Sequence, residues 1–369
     1  MSISLARKNL LHEKLRFLIS VGGVAFSVML ILMILALYRG WNEKLGRYVE
    51  DVDADVWVLQ AGAADMFHST SIFPLALVDE LKTIDGVERA DPLIGWRVPV
   101  ENTGHEAMTI IMGYNTETGA GGPMEIVKGQ TPKKGEIIID EGLAKKIERG
   151  IGDTMTIVDR EFNVSGISRG GNVVTFQYSF MPIEDAREFM QMEGLTNYAL
   201  VTFSKGADAD RVTAKIETKF PDLGVLTKTT FADNNRKQIM EAFLPIIKVL
   251  VVIGFIVGLV VISLTIYTAT IEKSREYGML KAVGAKNRHL YKIIFTQSAI
   301  AGLGGFACGL GLTFLSADII GRIEPSFVTT IAANDVVTVF GITILMILLS
   351  AFIPIRRIVS IDPAMVFKA

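Results

Sequence analysis

The sequence predicts an α-helical membrane protein with four transmembrane helices plus a large α+β extracytoplasmic domain inserted between helices 1 and 2. Three observations lead there. Half of the 369 residues are hydrophobic and the mean hydropathy is +0.40, more apolar than a water-soluble core of this size needs. Four windows, 17–38, 244–271, 293–315 and 336–354, meet the requirement for about 20 predominantly apolar residues in a bilayer-spanning helix. Residues 39–240, between the first two windows, have ordinary globular composition and are too numerous for a loop.

Residues 1–16 form a basic, amphipathic lead-in carrying Arg7, Lys8, Lys14 and Arg16. The run at 17–38 has two readings, a signal-peptide core or a retained helix. Retention is favoured, because the run is longer than such a core and continues into "YRGWNEK" without a small-residue cleavage site. Basic residues recur in the short segment 272–292 (Lys273, Arg275, Lys281, Lys286, Arg288, Lys292) and in the tail 355–369 (Arg356, Arg357, Lys368), whereas the loop 316–335 has only Arg322. Cytoplasmic segments concentrate Lys and Arg, so both termini and 272–292 are expected inside. The inserted domain, with 22 Lys and Arg against 31 Asp and Glu, is expected outside.

Within that domain, "DADVWVLQ" reads as a strand. The next stretch has Leu75, Leu77, Val78 and Leu81 on a helical stripe, Pro74 in a first turn and Asp85-Gly86 as a stop. A second unit repeats the order, with Val212, Ile216 and Phe220 on a helix and strand residues 225–231. The block between them, about 125–200, reads as an inserted β-rich subdomain with a strand at 137–139, a helix carrying Leu143 and Ile147, and a hairpin turning at Asp159-Arg160.

Several chemistries are missing. The dipeptide Gly-Lys does not occur, so there is no P-loop to cradle nucleotide phosphates. His12, His68, His105 and His289 lack metal-ligand spacing, and "EDVDAD" at 50–55 lacks the Gly and the closing Glu of a calcium loop. No nucleophile elbow surrounds any serine. Cys308 is the single cysteine, so the domain holds no disulfide, which leaves its redox compartment open. Lys248 and Asp318 lie only at span ends, which speaks against an ion pathway. Gly254 with Gly258, and Gly305 with Gly309, have the small-residue spacing that lets helices approach closely. Packing within the chain and a dimer seam both fit that spacing, the first being favoured.

The segment 272–292 is short, basic and half apolar. Tyr277, Leu280 and Val283 are expected on one face of a helix, and Gly284 suits its left-handed end. So short a helix needs a partner surface. On composition alone that surface is the lipid headgroup layer, with a cytoplasmic protein as the other option.

The wording of the segment shifts that balance. "REYGMLKAVGAKNRHLYKI" resembles the stretch after the second helix in FtsX/MacB-type permeases, the mechanotransmitting class of ABC transporters, where R-E-x-G-x-L-[KR]-A-[LVI]-G-A recurs. "ARKNLLHEKLRFLISVGGVAFSVMLILMI", "GEIIIDEGLAKKIERGIGDTMTI" and "PIRRIVSIDPAMVFKA" are similar to the start, the outer-domain signature and the ending of that family. Together with "ADVWV", the first of these most resembles stand-alone permeases of the heterocyst glycolipid exporter (DevC-like) kind. Two departures stand out: no nucleotide-binding domain is fused, and no extended cytoplasmic head is present.

The resemblance implies a permease in a bacterial inner membrane without catalytic residues or bound cofactor, ATP and Mg being held by a separate cytoplasmic ABC ATPase subunit. The ATPase-coupling segment would comprise Arg275, Glu276, Tyr277, Gly278, Leu280, Lys281, Ala282, Val283, Gly284 and Ala285. Tyr277, Leu280 and Val283 would supply the buried contact, and Arg275, Glu276 and Lys281 its polar rim. A second permease copy or close paralogue, a periplasmic adaptor (membrane fusion protein) and membrane lipids are the further partners implied, with no nucleic acid. The expected task is export or extraction of a lipid, glycolipid, lipoprotein or other hydrophobic substrate. The competing readings are an ATP-driven regulator of a periplasmic cell-wall hydrolase, and a membrane sensor or scaffold without an ATPase.

Overall fold

The computed structural model describes residues 14–359 apart from 103–104, 174–175 and 324–327. The lead-in before Lys14 and the tail beyond Val359, with Arg7, Lys8, His12 and Lys368, lie outside the described residues. Helix α1 (Lys14–Asp51) leads to strand β1 (Val56–Gln60), the short β2 (Phe73–Pro74) and helix α2 (Ala76–Leu81). Then come β3 (Val87–Asn102), β4 (His105–Tyr114), β5 (Glu125–Gly129), β6 (Glu136–Asp140), helix α3 (Glu141–Lys146), β7 (Thr154–Ile157) and β8 (Arg160–Arg169). Strands β9 (Asn172–Val173) and β10 (Phe176–Pro182), helix α4 (Ile183–Met190), β11 (Leu195–Thr196), β12 (Tyr198–Phe203), helix α5 (Ala209–Lys219) and β13 (Leu223–Thr227) follow. The remainder is helical: α6 (Lys228–Glu272), α7 (Ser274–Ala282), α8 (Asn287–Ile323), α9 (Ala333–Ser350) and α10 (Phe352–Val359).

Two compact units result, Met1–Gly40 with Phe243–Ala369, and Trp41–Ala242. Among the described residues four helical stretches are long and apolar enough to cross a membrane, each longer than its apolar window, and all four windows fall in the first unit. Small residues set its packing. A Cβ at Gly254 would meet Ile31, one at Gly258 would meet Met346 and Ser27, one at Gly305 Val24, and one at Gly309 the carbonyl oxygen of Ala25 and the side chain of Val28. All four glycines therefore face helices of their own chain. Several buried hydroxyls bond a carbonyl one turn back, as Thr313 Oγ1 does to Gly309 at 2.8 Å and Thr343 Oγ1 to Val339 at 2.8 Å, while Ser263 Oγ of α6 donates across to the Ser350 carbonyl of α9 at 3.2 Å. Asp335 binds Arg39 through two bonds of 2.8 Å.

In the second unit, β13-β1-β12-β3-β4-β10-β6-β8-β5 form one sheet, with β7 paired to β3 and β8, and β9 to β10. Its first four strands are antiparallel and follow the order of a split β-α-β unit. Val56, Val58 and Val225 pack there against Val78 and Leu81 of α2 and Val212 and Ile216 of α5. A second core gathers Ile94, Val98, Ile111, Ile137, Ile139, Leu143, Phe162 and Ile183. The β-rich block is therefore not a separate insertion starting near 125. Strand β3 is 16 residues long and serves both cores, with Ala90 in contact with the first and Ile94, Val98 and Val100 with the second.

Two boundaries differ from the sequence reading. The hairpin turns at Val158-Asp159, not at Asp159-Arg160, and holds the β-branched Val158 at φ 56°, a conformation rare for such residues. The strand expected over 225–231 stops at Thr227, because Thr227 Oγ1 accepts a 3.1 Å bond from the Thr230 N–H and starts α6.

Alternation sends Trp57 to the opposite face of the sheet from Val56 and Val58. It is fully buried, with Phe231 at 4.9 Å, Tyr198 at 5.7 Å and Tyr48 at 6.3 Å between ring centroids. Tyr48 also stacks on Tyr178 at 4.6 Å and donates its hydroxyl to the Gly121 carbonyl at 2.6 Å. This face is thus covered by the outer turns of α1 (Leu45, Tyr48, Val49) and α6 (Phe231, Ala232), all fully buried.

Asp140 caps α3 by accepting from Gly142 N–H at 2.8 Å, while its other oxygen accepts from Gly171 N–H at 2.9 Å. Burial pushes its carboxyl up from 3.8 to about 6, against the pull of those two bonds. Between these values the folded chain holds the proton more tightly than the unfolded one. The resulting stabilisation is complete below about pH 4 and is lost as pH rises through about 6. Urea unfolding from pH 4.5 to 7 should show Asp140→Asn losing that part of the pH slope, at a cost of about 1–3 kcal/mol for the orphaned Gly171 N–H. In the membrane unit, Gly309→Val should lower thermal stability in detergent by about 1–3 kcal/mol through overpacking. Gly311→Ala, with no atom within 4 Å of its new Cβ, should leave the melting temperature unchanged or raised.

Candidate functional site

The candidate site begins where α6 ends. Arg16 binds the Glu272 carboxylate through both oxygens at 2.8 and 2.7 Å, fixing that end of α6 to the start of α1. Lys273 follows, its carbonyl accepting from the Tyr277 N–H at 3.0 Å, and the nine residues of α7 come next. The helix closes on Gly284 at φ +94°. There Gly284 N–H bonds the Lys281 carbonyl at 3.0 Å and Ala285 N–H the Leu280 carbonyl at 2.9 Å, the paired bonds of a Schellman end.

Successive residues of a helix are turned by about 100°, which divides α7 into two faces. Tyr277, only 2% exposed, faces inward among Val24, Val28, Ile262, Ile266, Leu290, Ile293 and Ile294 of its own unit. Gly278 is buried, and Leu280 packs at the edge of the same cluster. Lys281 and Ala285 are half-buried. Outward lie Arg275, Glu276, Met279, Ala282 and Val283, with Met279 46% and Val283 90% exposed.

The expectation that Tyr277, Leu280 and Val283 form one docking contact is therefore corrected. Tyr277 is a core residue that holds α7 in place, Leu280 sits at the margin, and of the three only Val283 is presented. Met279 was missed. Its signal was in the sequence, four residues after Arg275 and four before Val283, on the row that shares one helix face.

Helices α1 and α6 each continue along the chain from residues of the first unit into residues of the second. At about 1.5 Å per residue, α1 and α6 are on the order of 57 and 67 Å long, each about twice the hydrocarbon thickness of a bilayer. Both run without interruption, although Pro245 inside α6 has no N–H and so leaves one rung of that helix's ladder unmade. Within the outer unit Arg236 of α6 lies across α1, donating to the Asn42 carbonyl at 3.2 Å and pairing with Glu50 at 2.6 Å and Asp233 at 2.9 Å. Gly46 makes room for it, since a Cβ there would stand 2.4 Å from the guanidinium carbon.

Four apolar spans, a large domain between the first two and a short helix fixed between the second and third define a polytopic permease. Residues 17–219 match the family model of the MacB-like periplasmic core domain, and residues 240–363 match that of the FtsX-like permease C-terminal region. The chain belongs to the MacB/FtsX-type family of ABC transporter permeases. Among its relatives, an ABC transporter permease of Methanocaldococcus jannaschii is 24% identical over 86% of this chain and 84% of its own length. One of Mycobacterium tuberculosis is 22% identical over 98% of each chain. The macrolide export ATP-binding/permease protein MacB of a Shewanella species is 20% identical over 95% of this chain and 58% of its own. The crystal structure of the periplasmic region of MacB from Actinobacillus actinomycetemcomitans aligns with 52% of this chain and 95% of that one, at 12% identity and a TM-score of 0.39.

The two faces of α7 predict opposite outcomes. Tyr277→Ala should lower the melting temperature of the solubilised protein by several degrees, since emptying a buried aromatic site costs about 3–5 kcal/mol. Val283→Asp should leave it within about 1 °C, as exposed substitutions change stability by about 0.5 kcal/mol or less.

Proposed function

We propose that this permease couples ATP hydrolysis by a separate cytoplasmic ATPase to movement of its outer domain, and that the movement extracts or exports a lipid, glycolipid, lipoprotein or other hydrophobic substrate. The observation that carries the reading is the outward face of α7. Met279 and Val283 form an apolar centre flanked by Arg275 and Glu276, on a helix locked to its own core by Tyr277. An exposed apolar centre with a charged rim is the anatomy of a protein docking site, and a helix laid in a groove is a standard way to engage one.

The ATPase would receive this face in a groove and hold ATP and Mg itself, while this chain binds no cofactor of its own. Movement imposed on α7 reaches α6 through Lys273 and α1 through the Arg16–Glu272 pair. Both helices end in the packed face of the outer domain. In this reading the domain lies in the periplasm and both termini and α7 in the cytoplasm, an orientation supported by the basic residues of 272–292 and by the match to a MacB-like periplasmic core domain. The inner membrane of a bacterium, a second permease copy or close paralogue and a periplasmic adaptor complete the assembly. A hydrophobic substrate handled outside the bilayer fits spans whose ionisable groups lie at their ends.

Affinity purification of the solubilised protein should retain a P-loop ATPase, and Met279→Asp with Val283→Asp should abolish retention by at least tenfold while the permease still melts normally. Retention unchanged by that pair would remove α7 as the docking element. If no ATPase is retained by the parent under mild detergents, the transporter reading fails.

A further inference from the structure

The membrane unit holds a groove that the transport reading does not use. It has a volume of about 560 Å³ and is walled by Leu259, Val260, Leu264 and Tyr267 of α6 and by Leu349, Phe352 and Ile353. Its origin lies in the break at Ala351, where α9 stops and α10 begins, turning Phe352 and Ile353 outward. The Ser263 hydroxyl in its wall already donates to the Ser350 carbonyl, so that hydroxyl makes no demand for a polar occupant.

We propose that this groove seats one acyl chain of an anionic phospholipid from the cytoplasmic leaflet, with the lipid phosphate on Arg356. Two observations select that occupant. From Leu259 to Tyr267 the groove follows eight helical steps, about 12 Å, close to the half-thickness of a hydrocarbon layer of about 30 Å. It thus matches a chain from one leaflet and not a helix crossing both. At its Phe352 end the exposed Arg356 guanidinium stands 4.5 Å above the Phe352 ring, so the apolar channel ends at a cation, the complement of a phosphate. The assignment to the cytoplasmic leaflet rests on the orientation in the proposed function; the groove and its cation do not.

The test needs no ATPase, so its result is separate from that of the coupling proposal. The full-length permease is placed in phosphatidylcholine vesicles containing phosphatidylglycerol with a photoreactive acyl chain, and labelled peptides are mapped by mass spectrometry. Labelling should concentrate on 259–267 and 349–353 and fall severalfold in Val260→Trp, which fills the groove. With the photoreactive chain on phosphatidylcholine instead, labelling should be about fivefold weaker, the factor of about 1 kcal/mol that one basic side chain contributes at an anionic surface. Arg356→Gln should erase that preference while leaving labelling itself in place. Labelling spread evenly along the exposed face of α6, or indifferent to Val260→Trp, would overturn the proposal. So would efficient disulfide formation between two copies through Leu264→Cys on a Cys308→Ser background, because the groove would then belong to a second copy of the chain.

Discussion

The burial of one tyrosine sets what the short helix between the second and third spans can present. Nine residues of helix have little stability in water, and α7 persists because Tyr277 is packed among side chains of α1, α6 and α8. That single anchor determines which residues face outward. It also makes α7 part of the packed helical unit, with Met279 and Val283 on its exposed side. The Arg16–Glu272 pair adds a charged tie close to this point, and the Schellman end at Gly284 stops the helix before α8 begins.

At the other end, the outer turns of α1 and α6 belong to the domain they enter. Tyr48 and Phe231 lie in one aromatic cluster with Trp57, Tyr178 and Tyr198, and Arg236 ties the two helices together over Gly46. Aromatic clusters of this kind are close-packed and yield little before they rearrange. Each helix is therefore gripped by side chains in the unit where it begins and in the unit where it ends.

Much of this was legible in the sequence because its signals are local. Apolar runs of about 20 residues mark the spans. Gly284 marks the end of α7 because only a residue without Cβ adopts φ +94° at no steric cost. What stayed hidden depends on contacts distant in sequence. Tyr277 reads as a docking aromatic until Leu290, Ile293 and Ile294 are seen to cover it. The β-rich block reads as an insertion because it lies between two similar strand and helix units, whereas the length of β3 lets one strand serve two cores. Trp57 reads as half of an alternating strand, and its full burial follows only from helices whose sequences lie before and far after it.

The central claim, that events at α7 move the outer domain, is tested most directly by measuring that movement. A spin label at Ile151, an exposed position of the second unit, and one at Val337, an exposed position of the first, would be placed in the complex purified with its ATPase on a Cys308→Ser background, and label-to-label distances recorded without nucleotide and with ATP trapped. The account predicts two distinct distance distributions, and their collapse into the nucleotide-free one when α7 carries Met279→Asp with Val283→Asp. A single distribution, unchanged by nucleotide in a complex that is hydrolysing ATP, would contradict it.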